Sequence, residues 1–331
     1  MTRILEINPA DELAVVEPGI INSDFNAALA EHGLWFAPDH SSRAISTVGG
    51  NIATNAGGLL CSKYGVTREA VLGLKVVLVD GRLLILGHRS VKGVTGFDLT
   101  ALMIGSEGIL GVIVEATVRV RRQVAGTIAT IGAWFPSVGQ AAGASAAITA
   151  SGQRPAVMEL MDAASVAAIA SHLQLDLASR GSAYLLVPTD GAAAESEAAS
   201  AVATITALGG DAELTTDPVE GECLLALRRA VHPSLIALGT VVIEDVAVPR
   251  RKLAEMFEAI YEIEARCGAS IATVAHAGDG NLHPHFIFEG ENRAGEHLVG
   301  GWRTLPKSAH AWRNSDRATR RRYPQETLAG R

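Results

Sequence analysis

The stretch GGNIATNAGG occupies residues 49–58, and glycine or alanine fills six of its ten positions. Small residues of this kind remove the side chains that would hold a backbone away from a flat ligand, while Asn51, Thr54 and Asn55 leave hydrogen-bonding groups beside it. Two interpretations stay open, a loop that lies against a ligand and a packed glycine-rich turn. The spacing matches neither G-x-G-x-x-G nor G-x-x-x-x-G-K-S/T, so it predicts neither a Rossmann nor a P-loop nucleotide site.

Patterns on both sides of this stretch predict a first domain that closes near residue 122. Its clearest element is a hairpin in which apolar strands at 74–79 and 82–86 flank Asp80 and Gly81. An Asp-Gly pair supplies the positive φ angles of a two-residue type I′ turn, which is the turn we expect here. The other elements predicted for this domain are a strand at 13–17, a helix from 22 to about 32, a helix at 97–104 and a strand at 112–120.

Strand and helix patterns alternate from about residue 123 to residue 300 and predict a second domain. Strand–helix–strand units mixed with antiparallel strand pairs are typical of an α+β fold, and we expect a ferredoxin-like arrangement. The predicted strands lie near 126–134, 183–188, 211–215, 240–247, 271–277 and 284–288, and the predicted helices lie at 138–150, 193–207, 219–231 and 250–267.

The composition is that of a globular protein with a large buried core, since the 331 residues are 48% hydrophobic and 19% charged. Three cysteines at wide spacing, with no C-x-x-C pair, predict neither a disulfide framework nor a thiolate zinc site. No apolar run reaches the roughly 18 residues that a membrane helix needs, and no signal-peptide pattern opens the sequence. We therefore expect a cytoplasmic protein without a transmembrane segment.

The charge is distributed unevenly along the chain. The formal net charge is −7, yet residues 301–331 hold seven Arg and one Lys against Asp316 and Glu326. The acidic body predicts no nucleic-acid partner, because phosphate binding depends on clustered Lys and Arg. The basic tail lacks apolar periodicity, and we expect it to be disordered or at most a loosely packed helix.

A second motif is HAGDGNLH at residues 276–283. A strand leads into His276, the small residues with Asp279 and Gly280 make a tight turn, and the chain returns through His283. The two imidazoles can therefore converge on one metal ion. Catalytic zinc usually has three protein ligands, so the residues alone favour the alternative of incidental histidines in a surface turn.

Polar residues on two further predicted elements are candidates for a binding pocket. Arg228 and Arg229 lie on the helix predicted at 219–231, and a bidentate guanidinium suits a planar carboxylate. A solvated helix face accounts for either arginine equally well. Glu244 and Asp245 lie in a predicted strand, where a pocket-edge role and a purely structural role are equally open.

The glycine-rich stretch and two neighbouring segments resemble a known family. Residues 38–58, KYG at 63–65 and GSEGILG at 105–111 are similar to the second half of the PCMH-type FAD-binding domain of the vanillyl-alcohol oxidase superfamily. The similarity is to its branch of glycolate oxidase, D-lactate dehydrogenase and D-2-hydroxy acid dehydrogenase. The FAD contacts that this resemblance implies are Pro38, Asp39, Gly49, Gly50, Asn51, Thr54, Asn55, Gly57, Gly58, Glu107, Gly108, Gly111 and Ile113. Glu107 has an alternative role as a capping carboxylate.

The resemblance also implies a domain organisation. An α+β chain would carry a partial FAD-binding domain at 1–122, an FAD-linked oxidase C-terminal domain at 123–300, and an atypical basic tail at 301–331. The pyrophosphate-binding loop expected of the family is not found before Gly49, so we expect the chain to be truncated relative to the family at both ends.

The motif at 276–283 is similar to the H-x-G-D-G-N-x-H metal-binding segment of the same family. The resemblance implies that His276 and His283 hold a divalent ion, zinc, iron or manganese, together with a glutamate from a later Gly-Glu-His-Gly motif whose histidine is the base. That motif is not found after His283. The family also implies that Arg228 or Arg229 binds the substrate carboxylate.

The function implied by the resemblance is the FAD-dependent oxidation of a 2-hydroxy acid such as lactate, glycolate or 2-hydroxyglutarate, with hydride transfer to flavin N5. The electron acceptor is not indicated, and the protein would act as a homodimer or as a subunit of a larger oxidase complex. Two alternatives are a catalytically impaired remnant that binds flavin weakly or not at all, and a metal-dependent hydrolase that uses the two histidines.

Overall fold

A computed structural model describes residues 1–38, 40 and 42–288, and it divides the chain into two compact units. The first unit is Met1–Ala125, and the second begins at Gly126. The boundary predicted at residue 122 lies just before this division. Asp39 and the predicted basic tail at 301–331 lie outside the described residues.

The first unit is built on a five-stranded antiparallel sheet in the order β1-β2-β6-β4-β5, and β3 pairs separately with β7. Its core contains Phe25, Leu29 and Phe36, which pack with apolar residues of β2, β4 and β6. The elements of this unit are β1 (Ile4–Asn8), β2 (Leu13–Val16), α1 (Asn22–Ala30), β3 (Leu34–Trp35), α2 (Val48–Thr54), α3 (Cys61–Tyr64), α4 (Thr67–Ala70), β4 (Val71–Val77), β5 (Leu83–Gly87), α5 (Leu99–Met103), β6 (Val112–Arg119) and β7 (Arg121–Arg122).

The predicted hairpin is confirmed, but its predicted turn type is wrong. Strands β4 and β5 pair in antiparallel register from Val77↔Leu83 outward. The Leu78 carbonyl accepts from Gly81 N at 2.9 Å, and Leu78 N donates to Arg82 O at 2.9 Å. Gly81 has a φ of 83° and Asp80 has no positive φ. The connection is therefore a three-residue loop with Gly81 in the left-handed region, because a type I turn followed by a glycine also matches strand twist.

The glycine-rich stretch is mostly helical, whereas the sequence predicted a loop or turn. Helix α2 begins after Thr47, whose side chain accepts from Gly50 N, and it ends at Asn55 in the left-handed conformation with a φ of 48°. Glycine is a poor helix former, but this N-cap and C-cap satisfy end groups of the short helix. Tertiary packing and capping override propensity here.

The second unit is built on an eight-stranded antiparallel sheet. Its strands are joined in the order β11-β8-β10-β9-β14-β15-β12, with β13 also paired to β15. The elements are β8 (Ile128–Phe135), α6 (Val138–Ala150), β9 (Glu159–Met161), α7 (Ala163–Leu173), β10 (Ala183–Asp190), α8 (Ala194–Ala207), β11 (Asp211–Thr215), α9 (Pro218–Ile236), β12 (Thr240–Ile243), β13 (Val246–Ala247), a 3₁₀ turn at Arg250–Lys252, α10 (Leu253–Cys267), β14 (Ser270–His276) and β15 (Asn281–Phe288).

Helices cover both faces of this sheet. Helices α6, α8 and α10 pack on one face, and α7 and α9 pack on the other. Strands β8 and β10 are consequently buried along nearly their whole length, which explains their continuous apolar sequence. The mixed α+β class predicted from the sequence is confirmed. No helix within the described ranges has the length and apolarity needed to cross a bilayer.

The sequence patterns missed β9 and α7, and a buried carboxylate joins these two elements to the sheet. Asp162 lies between them and is fully buried. Its Oδ1 accepts from Ser165 N at 2.9 Å, which caps α7, and its Oδ2 accepts from Thr273 N of β14 at 2.9 Å. The side chain therefore caps α7 with one oxygen and ties the start of this helix to β14 with the other.

We predict that Asp162→Ala lowers the free energy of unfolding by about 2–4 kcal/mol, because it removes a helix cap and leaves a buried N–H without an acceptor. The matched control is Asp217→Ala, which removes the exposed N-cap of α9 and should cost only about 1 kcal/mol. Guanidinium unfolding followed by far-UV circular dichroism measures both. Equal losses would contradict the buried role of Asp162.

Burial also raises the pKa of Asp162 to about 6, from an ordinary value of 3.8. Between pH 3.8 and about pH 6 the folded protein keeps a proton on Asp162 that the unfolded chain releases. The protonated carboxyl therefore stabilises the fold at low pH, and this stabilisation is lost as the pH rises through about 6. Because one pKa unit corresponds to about 1.4 kcal/mol, the difference in unfolding free energy between wild type and Asp162→Asn should fall by about 3 kcal/mol over this window. A difference that grows with pH would show that the two N–H donors outweigh burial.

Candidate functional site

Two segments that the resemblance assigned to FAD contact are joined by backbone hydrogen bonds in the first unit. Gly105 N donates to Ile52 O at 3.0 Å, and Glu107 N donates to Ala53 O at 2.8 Å. Glu107 has a φ of 52°, a conformation that costs free energy in a residue other than glycine. The loop that contains Glu107 is therefore held against the end of α2.

The glycines of these segments have two different physical roles. A Cβ at Gly49 would lie 2.3 Å from Pro18 Cβ, and one at Gly111 would lie 2.6 Å from Val76 Cγ1. These two glycines are required by packing within the protein. Gly50, Gly57 and Gly108 are exposed, and a Cβ at Gly108 would meet nothing within 4 Å. The exposed glycines leave the backbone open to a ligand.

The polar residues of the stretch also differ in what they contact. Thr54 Oγ1 donates to Gly50 O at 3.1 Å, and Asn55 Oδ1 accepts from Arg68 N at 3.0 Å, so both act on the protein backbone. Asn51 is 4% exposed, and its Nδ2 has no hydrogen-bond partner among the residues the structure describes. A buried amide donor without a partner is costly, and it fits a group that a bound cofactor would satisfy.

The remaining residues predicted to contact FAD serve the framework in this structure. The Pro38 carbonyl accepts from Asn22 Nδ2 at 3.2 Å, and Gly58 N donates to Cys61 Sγ at 2.9 Å. Ile113 is half-buried in β6 and packs against the core of the unit. These contacts hold the segments in place, and the FAD contacts of these residues stay predictions.

The second unit brings the two predicted metal-ligand histidines together. His276 ends β14, the chain turns at Gly280 with a φ of 90°, and His283 lies in β15. The two imidazole ring centroids are 4.9 Å apart, with the rings nearly perpendicular at 83°. A Cβ at Gly280 would lie 2.0 Å from Val248 O, so the turn requires glycine for packing as well as for its backbone angle.

Each of these imidazoles is held by a carboxylate through Nδ1. His276 Nδ1 lies 2.5 Å from Glu159 Oε1, and His283 Nδ1 lies 2.8 Å from Asp245 Oδ1. Asn281 Nδ2 also donates to Asp245 Oδ1 at 3.2 Å. A carboxylate at Nδ1 leaves Nε2 as the nitrogen that can bind a metal ion or a substrate. Asp245 therefore contacts His283 and Asn281, and its pocket-edge role stays a prediction.

Glu159, His276, His283 and Asp245 form one cluster of contacting side chains. Arg228 contacts this cluster and Arg229 does not. Arg228 Nε donates to Glu159 Oε2 at 2.7 Å, and the Arg228 side chain is 17% exposed. The Arg229 side chain is 57% exposed and pairs with Glu222 on the same helix. The Nη groups of Arg228 have no partner in the part of the chain that the structure describes, so they can bind a planar anion.

The buried charges of this cluster shift one another's proton affinity. Burial acts to raise the pKa of Glu159, but the charges of His276 and Arg228 outweigh it and lower this pKa overall. Burial acts to lower the pKa of His276, but the Glu159 carboxylate raises it overall. At neutral pH the cluster is thus an ionised carboxylate that holds two donors.

A further histidine adjoins this pair and is neutral. His285 Nδ1 lies 2.7 Å from His283 O, and burial lowers the pKa of His285 to about 4. Its ring centroid is 6.2 Å from that of His232, whose pKa burial also lowers. Two imidazoles that burial keeps neutral therefore lie beside His283.

The donor set fits a divalent ion only in part. His276 and His283 supply two Nε2 ligands with the carboxylate support that metal-bound histidines usually have. Within residues 1–38, 40 and 42–288, no group of three or more His, Cys, Asp or Glu side chains is placed to hold a metal. The described residues therefore do not complete a metal site by themselves.

Glu159 holds Arg228 and His276 together, and the sequence patterns did not identify it. It lies in the run VMELM at 157–161, where a single charged residue interrupts apolar ones. A lone carboxylate in a buried strand requires a charged partner, and this was the available signal. The strand has only three residues, so its pattern was too short to be predicted.

Two family profiles match the sequence. The one described as FAD linked oxidases, C-terminal domain, matches residues 126–304, which is more than half of the chain, and the one described as FAD binding domain matches residues 1–87. The chain belongs to the FAD-linked oxidases. The family predicted from the sequence motifs is confirmed.

Several curated and solved proteins are similar to this FAD-linked oxidase. Glycolate oxidase subunit GlcD of Bacillus subtilis is 39% identical over 86% of this chain and 61% of its own length. D-lactate dehydrogenase of Archaeoglobus fulgidus is 32% identical over 86% of this chain and 64% of its own length. The structure of alkyldihydroxyacetonephosphate synthase matches with a TM-score of 0.71 and 19% identity, over 91% of this chain and 60% of that one. That likeness shows the fold alone.

The chain spans about three fifths of the length of these relatives. Both family profiles nevertheless fall on it in the family order, with the FAD-binding match before the oxidase match. The two units seen in the structure correspond broadly to these two matches.

We predict that Arg228→Gln lowers the free energy of unfolding by about 3 kcal/mol, because it removes a charged partner of the buried Glu159. The neighbouring substitution Arg229→Gln should change it by no more than about 0.5 kcal/mol, since that side chain is exposed. Chemical denaturation measures both. Similar effects of the two substitutions would contradict the placement of Arg228 inside the cluster.

Proposed function

We propose that this chain carries out the FAD-dependent oxidation of a small 2-hydroxy acid. The observation that supports this most strongly is the cluster in the second unit, where Arg228 and His276 contact the buried Glu159, and His283, held by Asp245, lies beside His276. Membership of the FAD-linked oxidases supplies the reaction class.

In the first unit, the exposed glycines Gly50, Gly57 and Gly108 and the amide of Asn51, which lacks a partner among the described residues, are the groups we propose for FAD binding. Bound FAD would accept a hydride at N5. The loop at Glu107 would be positioned for this contact by its hydrogen bonds to the end of α2.

In the second unit, the groups match the two functional groups of a 2-hydroxy acid. The Nη groups of Arg228 would bind the carboxylate, since a guanidinium pairs with a carboxylate through two parallel hydrogen bonds. His276 and His283 would present Nε2 toward the hydroxyl side. A divalent ion held there would lower the pKa of that hydroxyl. Glycolate, lactate and 2-hydroxyglutarate share both groups, so we propose the class of substrate and no single member.

Several finer features remain predictions. They are the state as a homodimer or as a subunit of a larger oxidase complex, the cytoplasmic location, and the identity of the metal as zinc, iron or manganese. B. subtilis GlcD is named a subunit, which supports the assignment to a complex.

The proposal predicts that the purified chain binds FAD. Excess FAD should produce bound flavin absorption bands after desalting and should raise the thermal midpoint, and an anaerobic 2-hydroxy acid should bleach those bands. A protein that stays colourless and gains no thermal stability would favour the alternative of a non-catalytic remnant. Stoichiometric metal in such a colourless protein would favour the hydrolase.

The substrate role of Arg228 is tested by comparing Arg228→Lys with Arg229→Lys, using the rate of flavin bleaching at varied 2-hydroxy acid concentration. A lysine keeps the charge but cannot form the bidentate contact, so Arg228→Lys should raise the half-saturating concentration about tenfold or more. Arg229→Lys should leave it unchanged. An equal response of the two variants would argue against the carboxylate anchor.

A further inference from the structure

Glu159 lies inside the sheet of the second unit, between strands β10 and β14. Its backbone is directly across from Leu186 on one side and from His276 on the other. The side chain is 1% exposed, so water cannot solvate its charge. A carboxylate in this position has to be stabilised by donors from neighbouring elements, and it constrains the orientation of those donors in return.

Each oxygen of this carboxylate has its own partner. Oε2 accepts from Arg228 Nε at 2.7 Å, and Oε1 lies 2.5 Å from His276 Nδ1. A guanidinium keeps its hydrogens under all ordinary conditions, so Arg228 can only donate. Since a carboxylate oxygen is an acceptor, the hydrogen of a neutral His276 ring belongs on Nδ1, and the lone pair belongs on Nε2.

We propose that Glu159 is a positioning residue for both parts of the substrate site, which are His276 and the arginine Arg228. This inference rests on the proposed function. Through Oε1 it fixes the tautomer of His276 that has a free Nε2 lone pair. Through Oε2 it engages Nε of Arg228, which leaves both Nη groups for the carboxylate of the ligand. One buried side chain thereby couples the anchor for the substrate carboxylate to the imidazole pair.

The second imidazole supports this assignment by contrast. His283 is held at Nδ1 by Asp245, but the side chain of Asp245 is 29% exposed and also accepts from Asn281. Water can replace part of that interaction. Glu159 has no such replacement, so its loss should disturb His276 more than the loss of Asp245 would disturb His283.

The substitution Glu159→Gln gives a specific expectation because it keeps the size of the side chain and replaces one acceptor oxygen by a donor. The amide oxygen must face Arg228, which can only donate. The amide NH₂ then faces His276 Nδ1, which must become the acceptor, and the ring hydrogen moves to Nε2. The variant should therefore switch the tautomer of His276.

The first measurement is long-range nitrogen–proton NMR of the full chain with isotope-labelled histidine, at alkaline pH and without metal. His276 is assigned by the loss of its signals in His276→Gln. We expect the Nδ1–H tautomer in wild type and the Nε2–H tautomer in Glu159→Gln. An Nε2–H tautomer in wild type, or no switch in the variant, overturns the proposal. The wild-type spectrum decides the point even if the variant does not fold.

The second measurement is titration with Co²⁺ alone, followed by its visible absorption bands. Glu159→Gln should bind Co²⁺ about 10- to 100-fold more weakly than wild type, because its Nε2 lone pair is lost. Glu213→Gln is the matched control, since that carboxylate is on the surface of the same unit beside Arg180, and it should bind as wild type does. Equal binding by Glu159→Gln and wild type overturns the positioning role and leaves the proposed function intact. A wild-type protein that binds no Co²⁺ contradicts the metal part of the proposed function, and the tautomer spectrum then decides the role of Glu159.

Discussion

Burial of the Glu159 carboxylate is the constraint on which the second unit depends. An ionised carboxylate inside a sheet is tolerated only when donors surround it, and the fold supplies Arg228 from α9 and His276 from the end of β14. Three elements that are distant in sequence are thus held in one arrangement. In the proposed function the same arrangement would orient an arginine and an imidazole toward a ligand, so the structural requirement and the proposed chemistry share one residue.

The constraint in the first unit is different, because a glycine-rich backbone segment is exposed and must be held in place by capping and hydrogen bonds. Helix α2 is capped at both ends, and its last turn accepts hydrogen bonds from the loop at Gly105 and Glu107. Packing against Pro18 requires Gly49, while Gly50 and Gly57 leave the outer surface open. Internal packing therefore requires Gly49, and the approach proposed for a ligand is at Gly50 and Gly57 of the same stretch.

The two units together match the order of domains in the FAD-linked oxidases, although the chain spans about three fifths of its relatives. The expected contributions of the two units also differ in kind. The first has exposed glycines and an Asn51 amide without a partner among the described residues, which would suit a large planar cofactor. The second offers charges and imidazoles, which suit a small anion. The proposed substrate class therefore rests on Arg228 and the histidines, and the proposed cofactor contacts rest on the glycine-rich stretch.

The sequence by itself determined the family, the α+β class and most of the long elements, and it indicated that His276 and His283 can converge, because motifs and hydrophobic periodicity are local properties. It could not show that residues 48–54 are helical, since capping and packing against Pro18 override the glycine propensity. It could not choose between Arg228 and Arg229, because helix orientation decides which one is buried. Only the tertiary structure revealed Glu159, because its partners are 69 and 117 residues away and no local pattern records a contact of that range.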